Sequence, residues 1–304
     1  MRIEPAATIL VEPTSRYTTI NGLKLHYFYW GGDSSKRTFV LLHGGAAHAH
    51  WWDNVAPLLT PDGCVIALDF RGHGRSQWAN PPVYGPVSYV RDVKEFIEQI
   101  GGRIVLVGHS MGGAVAQWVA SEFPDLLDAL VIVDAPAGPP PLWLRLMWRW
   151  RRRAAGPQRP ELPTAQHVVR KFRLSPPGTY LTDDQLAHLA LSGAERLPNG
   201  KWAFRFDPKT RSWRRRGGGL RRPNLKRITA PTLILRGAES VLVTPHTATK
   251  LNHRIRGSKL KFIERAHHHV PLDNPSDTAG AIVEFVRSLQ PKPSLERRVE
   301  AIQA

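Results

Sequence analysis

The chain has 304 residues, 42% of them apolar and 9% aromatic, enough for one large α/β domain or a core carrying an inserted smaller unit. No run of eighteen apolar residues predicts a membrane-spanning helix, residues 1–7 lack a secretory pattern, and the single cysteine, Cys64, excludes an intramolecular disulfide, so a cytoplasmic protein is the expectation. The formal net charge is +17, and residues 145–227 hold 21 Lys and Arg against 5 Asp and Glu, which places nearly the whole excess in one middle segment.

From the N-terminal side, residues 17–30 alternate around Asn21-Gly22, a pair suited to the positive φ of a tight hairpin turn. Short apolar runs follow at 38–42, 65–69, 104–107, 130–133, 232–235 and 259–263, which is how strands buried on both faces read. Helical patterns at 89–100, 113–122 and 278–289 lie among them. Strands alternating with helices predict an α/β class fold with a mostly parallel twisted sheet and helices on both faces. The rhythm breaks at 138–227, between Gly138 with its three prolines and the Gly217-Gly218-Gly219 turn. The chain therefore divides into a core of residues 1–137 and 228–304 and a basic, Trp-rich insertion, with helices expected at 142–153 and 183–191.

The stretch that carries chemistry is Gly108-His109-Ser110-Met111-Gly112, set between the strand ending at Val107 and the following helix. A serine in such a turn is held in a strained conformation with its hydroxyl thrust outward, and the flanking glycines let neighbouring backbone pass without a Cβ clash. The helix start also aims free N–H groups at a developing oxyanion. A serine that merely caps the helix is the plain alternative, but two further stretches agree with a nucleophile. Phe39 to Leu42 runs into His43-Gly44-Gly45-Ala46, where Gly45 or Ala46 is placed to donate a second N–H beside that of Met111, with His43 bracing the loop. Directly after the last strand, Ala266-His267-His268-His269 offers a general base at the carboxyl edge of the sheet. Three adjacent histidines also raise a metal site, but consecutive residues seldom converge on one ion and no Cys or carboxylate pair stands at ligand spacing, so no metal is expected.

These pieces together resemble the α/β-hydrolase superfamily over almost the whole chain outside the insertion. The resemblance rests on Leu41 to Gly45, Ala67 to Ser76, Gly108 to Gly113 and His268 to Pro275. It implies an α/β-hydrolase fold with an inserted helical cap and no cofactor. It also implies that Asp273 and Pro275 select His268, and not His267 or His269, as the base. Asp69, Arg71 and Ser76 match a structural loop of such proteins. The acid stays open: the usual place after the penultimate strand holds Ser240 or Val241, leaving Glu239 as the one acid in reach, whereas Asp134 ends the strand after the nucleophile helix. Asp134 is preferred, with Glu239 or a Ser–His dyad as alternatives.

The expected activity is cleavage of a carboxylic ester or related acyl substrate, small and hydrophobic or anionic, with His109, Trp143 and Trp148 as candidate substrate contacts. C–C bond hydrolysis, a lyase step and cofactor-free perhydrolysis use the same residues, and a non-catalytic ligand-binding protein on this fold is a different class of answer. The cap arginines read first as a solvated face and next as a contact for an anionic membrane surface. No nucleic-acid motif accompanies them.

Overall fold

The protein is described by a computed structural model covering residues 12–135, 142, 146, 159–212 and 222–290. Strands β1 (Thr14–Ile20) and β2 (Leu23–Tyr29) form the expected antiparallel hairpin, with Asn21 and Gly22 at φ 47° and 74° in its turn. They extend a sheet in the order β1-β2-β4-β3-β5-β6-β9-β10. Its remaining members are β3 (Arg37–Leu42), β4 (Gly63–Leu68), β5 (Ile104–His109), β6 (Ala129–Val133), β9 (Thr232–Gly237) and β10 (Lys259–Ile263). Every pairing from β4 to β10 is parallel.

Because strand side chains alternate, each strand feeds two cores. Val40, Leu42, Leu106 and Ile132 face the cluster shared with helices α2 (Pro86–Ile100) and α3 (Met111–Glu122), through Val93, Phe96, Val115 and Val119. Phe39, Leu41, Val105, Val107 and Val131 face the other, built with α1 (Ala56–Leu59) and α8 (Pro275–Arg287) through Leu59, Ile282 and Phe285. Two-sided burial explains why these strands are continuous apolar runs. Helix α6 (Pro245–Arg254) connects β9 to β10, and the short α7 (Val270–Asp273) precedes α8.

Between β6 and β9 the chain leaves the sheet. Helix α4 (Ala165–Lys171) starts on Thr164, whose side chain accepts the amide of His167. Helix α5 (Asp183–Ser192) starts on a reciprocal capping box between Thr182 and Gln185. Strands β7 (Ala194–Arg196) and β8 (Trp202–Phe204) form a second, two-stranded sheet that the sequence patterns did not predict. The signal for it was Asn199-Gly200, with Gly200 at φ 80°. Leu162, Val168, Ala190 and Ala194 make a small core of their own here, and Leu174 and Leu189 pack with Ala47, Trp51 and Leu272 of the main body. Of the helix expected at 142–153, Leu142 and Leu146 are helical and exposed, while Trp143 and Trp148 lie outside the described residues.

Candidate active site

Strand β5 and helix α3 meet at Ser110, which sits at φ 53° and ψ −111°, a conformation side-chain-bearing residues rarely adopt. Neighbouring backbone holds it there. The Ser110 amide donates to the Val133 carbonyl at 3.0 Å, and the Gly112 amide donates to the His43 carbonyl at 3.1 Å. The glycines are obligatory for the close approach: a Cβ on Gly108 would lie 2.5 Å from the backbone of Gly112, and one on Gly112 would lie 2.4 Å from the Leu42 carbonyl oxygen.

The imidazole arrives from the loop after β10. His268 is almost wholly buried, with Nε2 3.0 Å from Ser110 Oγ and Nδ1 2.7 Å from Asp134 Oδ2. A carboxylate can only accept, so Nδ1 carries the ring hydrogen and Nε2 is left to accept from the serine hydroxyl. The loop is fixed by Asp273, whose Oδ2 accepts the His267 amide at 2.8 Å and whose Oδ1 accepts the Tyr180 amide at 2.9 Å. Asp273 thus sets which histidine faces the serine.

Asp134 stands just beyond β6, at φ 43° and buried. Its Oδ1 accepts the Gly237 amide at 3.1 Å, and its Oδ2 accepts the Ser240 hydroxyl at 2.6 Å in addition to His268. Glu239, the alternative acid, lies elsewhere. It is 43% exposed, accepts the Tyr180 hydroxyl at 2.6 Å, and approaches His267 Nε2 at 3.5 Å. The structure therefore brings Ser110, His268 and Asp134 together and leaves Glu239 outside that chain of hydrogen bonds.

On the other side of the serine, Gly45 lies against Met111, since a Cβ on it would be 3.8 Å from Met111 Sδ. The Met111 amide is the first of helix α3 and has no partner within the helix. Among the described residues the amides of Met111, Gly45 and Ala46 meet no acceptor, whereas that of Ala47 donates to the Gly44 carbonyl at 3.3 Å. Ala46 takes φ 58°. His43 braces this loop, donating from Nδ1 to the Gly44 carbonyl at 2.7 Å and accepting the Phe70 amide on Nε2 at 3.1 Å, and burial lowers it to about 4.

His109 is buried, and its Nε2 donates to the His268 carbonyl at 2.8 Å, so its firmest contact is with the loop that carries the imidazole. Burial, followed by the neighbouring His268 and His269, holds it well below the usual histidine range. His269 donates from Nε2 to the Pro176 carbonyl at 2.9 Å and is lowered to about 3, mainly by burial. Ring nitrogens of His109, His268 and His269 lie within 4.8 Å of one another. Both nitrogens of His268 are already engaged by Ser110 and Asp134, while His109 and His269 each donate to a backbone carbonyl. Trp51, which pattern reading missed, stacks on His109 with ring centroids 5.8 Å apart and meets His269 edge-on at 5.3 Å. No local signal marks it.

Asp69 and its loop hold the core. The Asp69 carboxylate accepts the Ala49 amide at 2.7 Å, the Arg75 amide at 2.9 Å and His26 Nδ1 at 2.7 Å, and the His26 partner keeps it below the ordinary aspartate range against the opposing effect of burial.

A doubly wound sheet with a strand–serine–helix turn at its carboxyl edge defines the class of architecture. The sequence matches the Alpha/beta hydrolase family over residues 39–281, and the chain belongs to that family. It is 28% identical over 267 residues to "Esterase Rv0045c" of Mycobacterium tuberculosis, covering 86% of this chain and 84% of that protein. It is 25% identical over 288 residues to "Monoacylglycerol lipase abhd6-B" of Xenopus laevis, covering 90% and 82%. An alpha/beta hydrolase of known structure from Novosphingobium aromaticivorans superposes with a TM-score of 0.75 at 25% identity, covering 92% of this chain and 99% of that one. No helix among the described residues is long and apolar enough to cross a membrane.

Proposed function

We propose that this protein is a serine hydrolase that cleaves a carboxylic ester or related acyl substrate through an acyl-enzyme. The observation that carries the reading is the hydrogen-bond chain from Ser110 Oγ through His268 to the buried carboxylate of Asp134. Ser110 Oγ attacks the substrate carbonyl carbon as its proton passes to His268 Nε2. The carbonyl oxygen becomes an oxyanion held by the amides of Met111 and Gly45, with Ala46 the alternative second donor, a kind of preorganised stabilisation that commonly supplies the largest electrostatic share of catalysis. Asp134 orients the imidazole and stabilises the imidazolium. Collapse expels the leaving group, which takes the proton from Nε2. Water, activated by the same imidazole, then attacks the acyl-enzyme and releases the acid, regenerating Ser110.

Two relatives bear names that denote ester cleavage, which supports this bond type. We assign residues 138–227 to a cap over the serine, with the acyl group lying towards Trp51, Leu174, Leu189 and Leu272. Trp143 and Trp148 of that segment are candidate substrate contacts.

The test is hydrolysis of p-nitrophenyl esters of graded acyl length. The wild-type protein is expected to turn over at least one length with a p-nitrophenol burst equal to the enzyme present, and Ser110→Ala to fall to the uncatalysed background. Equal turnover by wild type and a folded Ser110→Ala would reject the proposal.

A further inference from the structure

The loop after β9 is the place where the family resemblance puts the acid, and here it carries Ser240. That side chain is not idle. Ser240 is 5% exposed, and its Oγ accepts the amides of Leu242 at 3.3 Å and Val243 at 3.2 Å. A hydroxyl has two lone pairs and one hydrogen, so with both acceptor positions taken the O–H is left one direction. It points at Asp134 Oδ2, 2.6 Å away, the same oxygen that faces His268 Nδ1.

The loop itself is pinned from beneath. Arg236, 4% exposed, donates to the carbonyls of Ala238 at 2.9 Å, Ser240 at 3.0 Å and Val243 at 2.6 Å, and no carboxylate among the described residues pairs with it. A buried guanidinium normally takes a carboxylate partner. Here its hydrogen bonds are spent on three carbonyls of one short loop, at both ends and in the middle, and its charge lies close enough to Asp134 to interact with it. Together with the Gly237 amide on Oδ1, these contacts leave the carboxylate two fixed donors besides the imidazole.

We propose that Ser240 is a positioning residue that fixes the Asp134 carboxylate against His268, on a loop held in register by Arg236. The loop that supplies the acid in the resembled arrangement supplies instead the hydroxyl that orients an acid arriving from β6. This inference rests on the role given above to Asp134. Ser240 touches neither Ser110 nor the amides of Gly45 and Met111, so its contribution belongs to turnover and not to substrate binding.

The experiment is steady-state kinetics on the best ester from the panel, with thermal melting alongside. Removing one charge-assisted hydrogen bond to a buried carboxylate is expected to lower kcat of Ser240→Ala by about tenfold or more, with KM within about twofold of wild type. Ser240→Thr, which restores the donor, is expected to recover most of that loss. An unchanged kcat in a folded Ser240→Ala overturns the proposal, as does a Thr variant that melts like wild type but is as slow as the Ala variant. Should the Ala variant fail to fold, Ser240→Cys, a weak donor of similar size, reads the same quantity: lowered kcat at constant KM supports the proposal, and unchanged kcat overturns it. Asp134→Asn in the same assay separates the two levels. Full activity there removes the role of Asp134 itself, whereas its collapse beside an unaffected Ser240→Ala removes the present inference alone.

Discussion

Glu239 and His267 face each other across 3.5 Å, one residue away from each of the two that matter in the hydrogen-bond chain, Ser240 and His268. The offset follows from the loop after β10, where the Asp273 carboxylate holds the His267 amide so that successive imidazoles turn to opposite sides. One side chain then stacks on exposed Tyr180 and the next is buried on the serine.

That offset makes the choice between the two candidate acids testable. Asp134→Asn keeps the shape but removes the acceptor that fixes the ring tautomer, and kcat is expected to fall by about 10³- to 10⁴-fold. Glu239→Gln is expected to stay within about threefold of wild type, since its carboxylate is exposed and screened. Turnover of the two variants on one ester checks this, and collapse in Glu239→Gln alone would reverse the assignment.

Buried histidines make the fold acid-sensitive. Burial lowers His43 to about 4 and His48, His73 and His269 to about 3, from the ordinary 6.5. Above pH 6.5 each is neutral in both folded and unfolded states. Below it the unfolded chain takes up protons that the folded chain refuses, so stability is full above pH 6.5 and falls as pH drops towards 3 to 4, by about 1.4 kcal/mol per pH unit for each histidine. The melting temperature is expected to be level from pH 7 to 8 and to decline continuously from pH 6.5 to 5. A melting temperature that rises over the lower interval would contradict the burial of these rings.

The elbow tolerates no side chain at Gly112. A Cβ there would meet the carbonyl oxygens of Leu42 and His43 at 2.4 and 2.7 Å, both backbone atoms of β3 and its exit. Gly112→Ala is expected to cost about 1 to 3 kcal/mol through overpacking. Because α3 must shift away from β3, Ser110 is displaced as well, and kcat/KM is expected to fall at least about 100-fold. Melting and kinetics on the same preparation check both effects.

The apolar contact between the insertion and the main body predicts a length-dependent effect. Leu189 is buried beside Trp51, Leu174 and Leu272. Leu189→Ala is expected to raise KM for long acyl chains severalfold while leaving the acetyl ester nearly unchanged, as measured across the graded ester panel.

Much of this was legible in the sequence because the relevant signals are local. Strands buried on both faces announce themselves as apolar runs, Asn21-Gly22 marks a hairpin, and a serine flanked by glycines between a strand and a helix marks the elbow. Ser110, His268 and Asp134, named from motif and strand-end position, are residues that the fold brings within hydrogen-bond distance. The rest depended on contacts distant in sequence. Ser240 meets Asp134 across 106 positions and His109 meets the His268 carbonyl across 159, and no periodicity encodes either. The small β7–β8 sheet was missed because its strands are three residues long, too short for alternation to register.

The most direct measurement is covalent labelling by a fluorophosphonate probe, read by peptide mass spectrometry. Wild-type protein is predicted to carry one adduct on Ser110, formed at least about 100-fold more slowly in His268→Ala and absent from Ser110→Ala. An unlabelled Ser110 in folded protein, or a labelling rate indifferent to His268, would contradict an activated serine at this sheet edge.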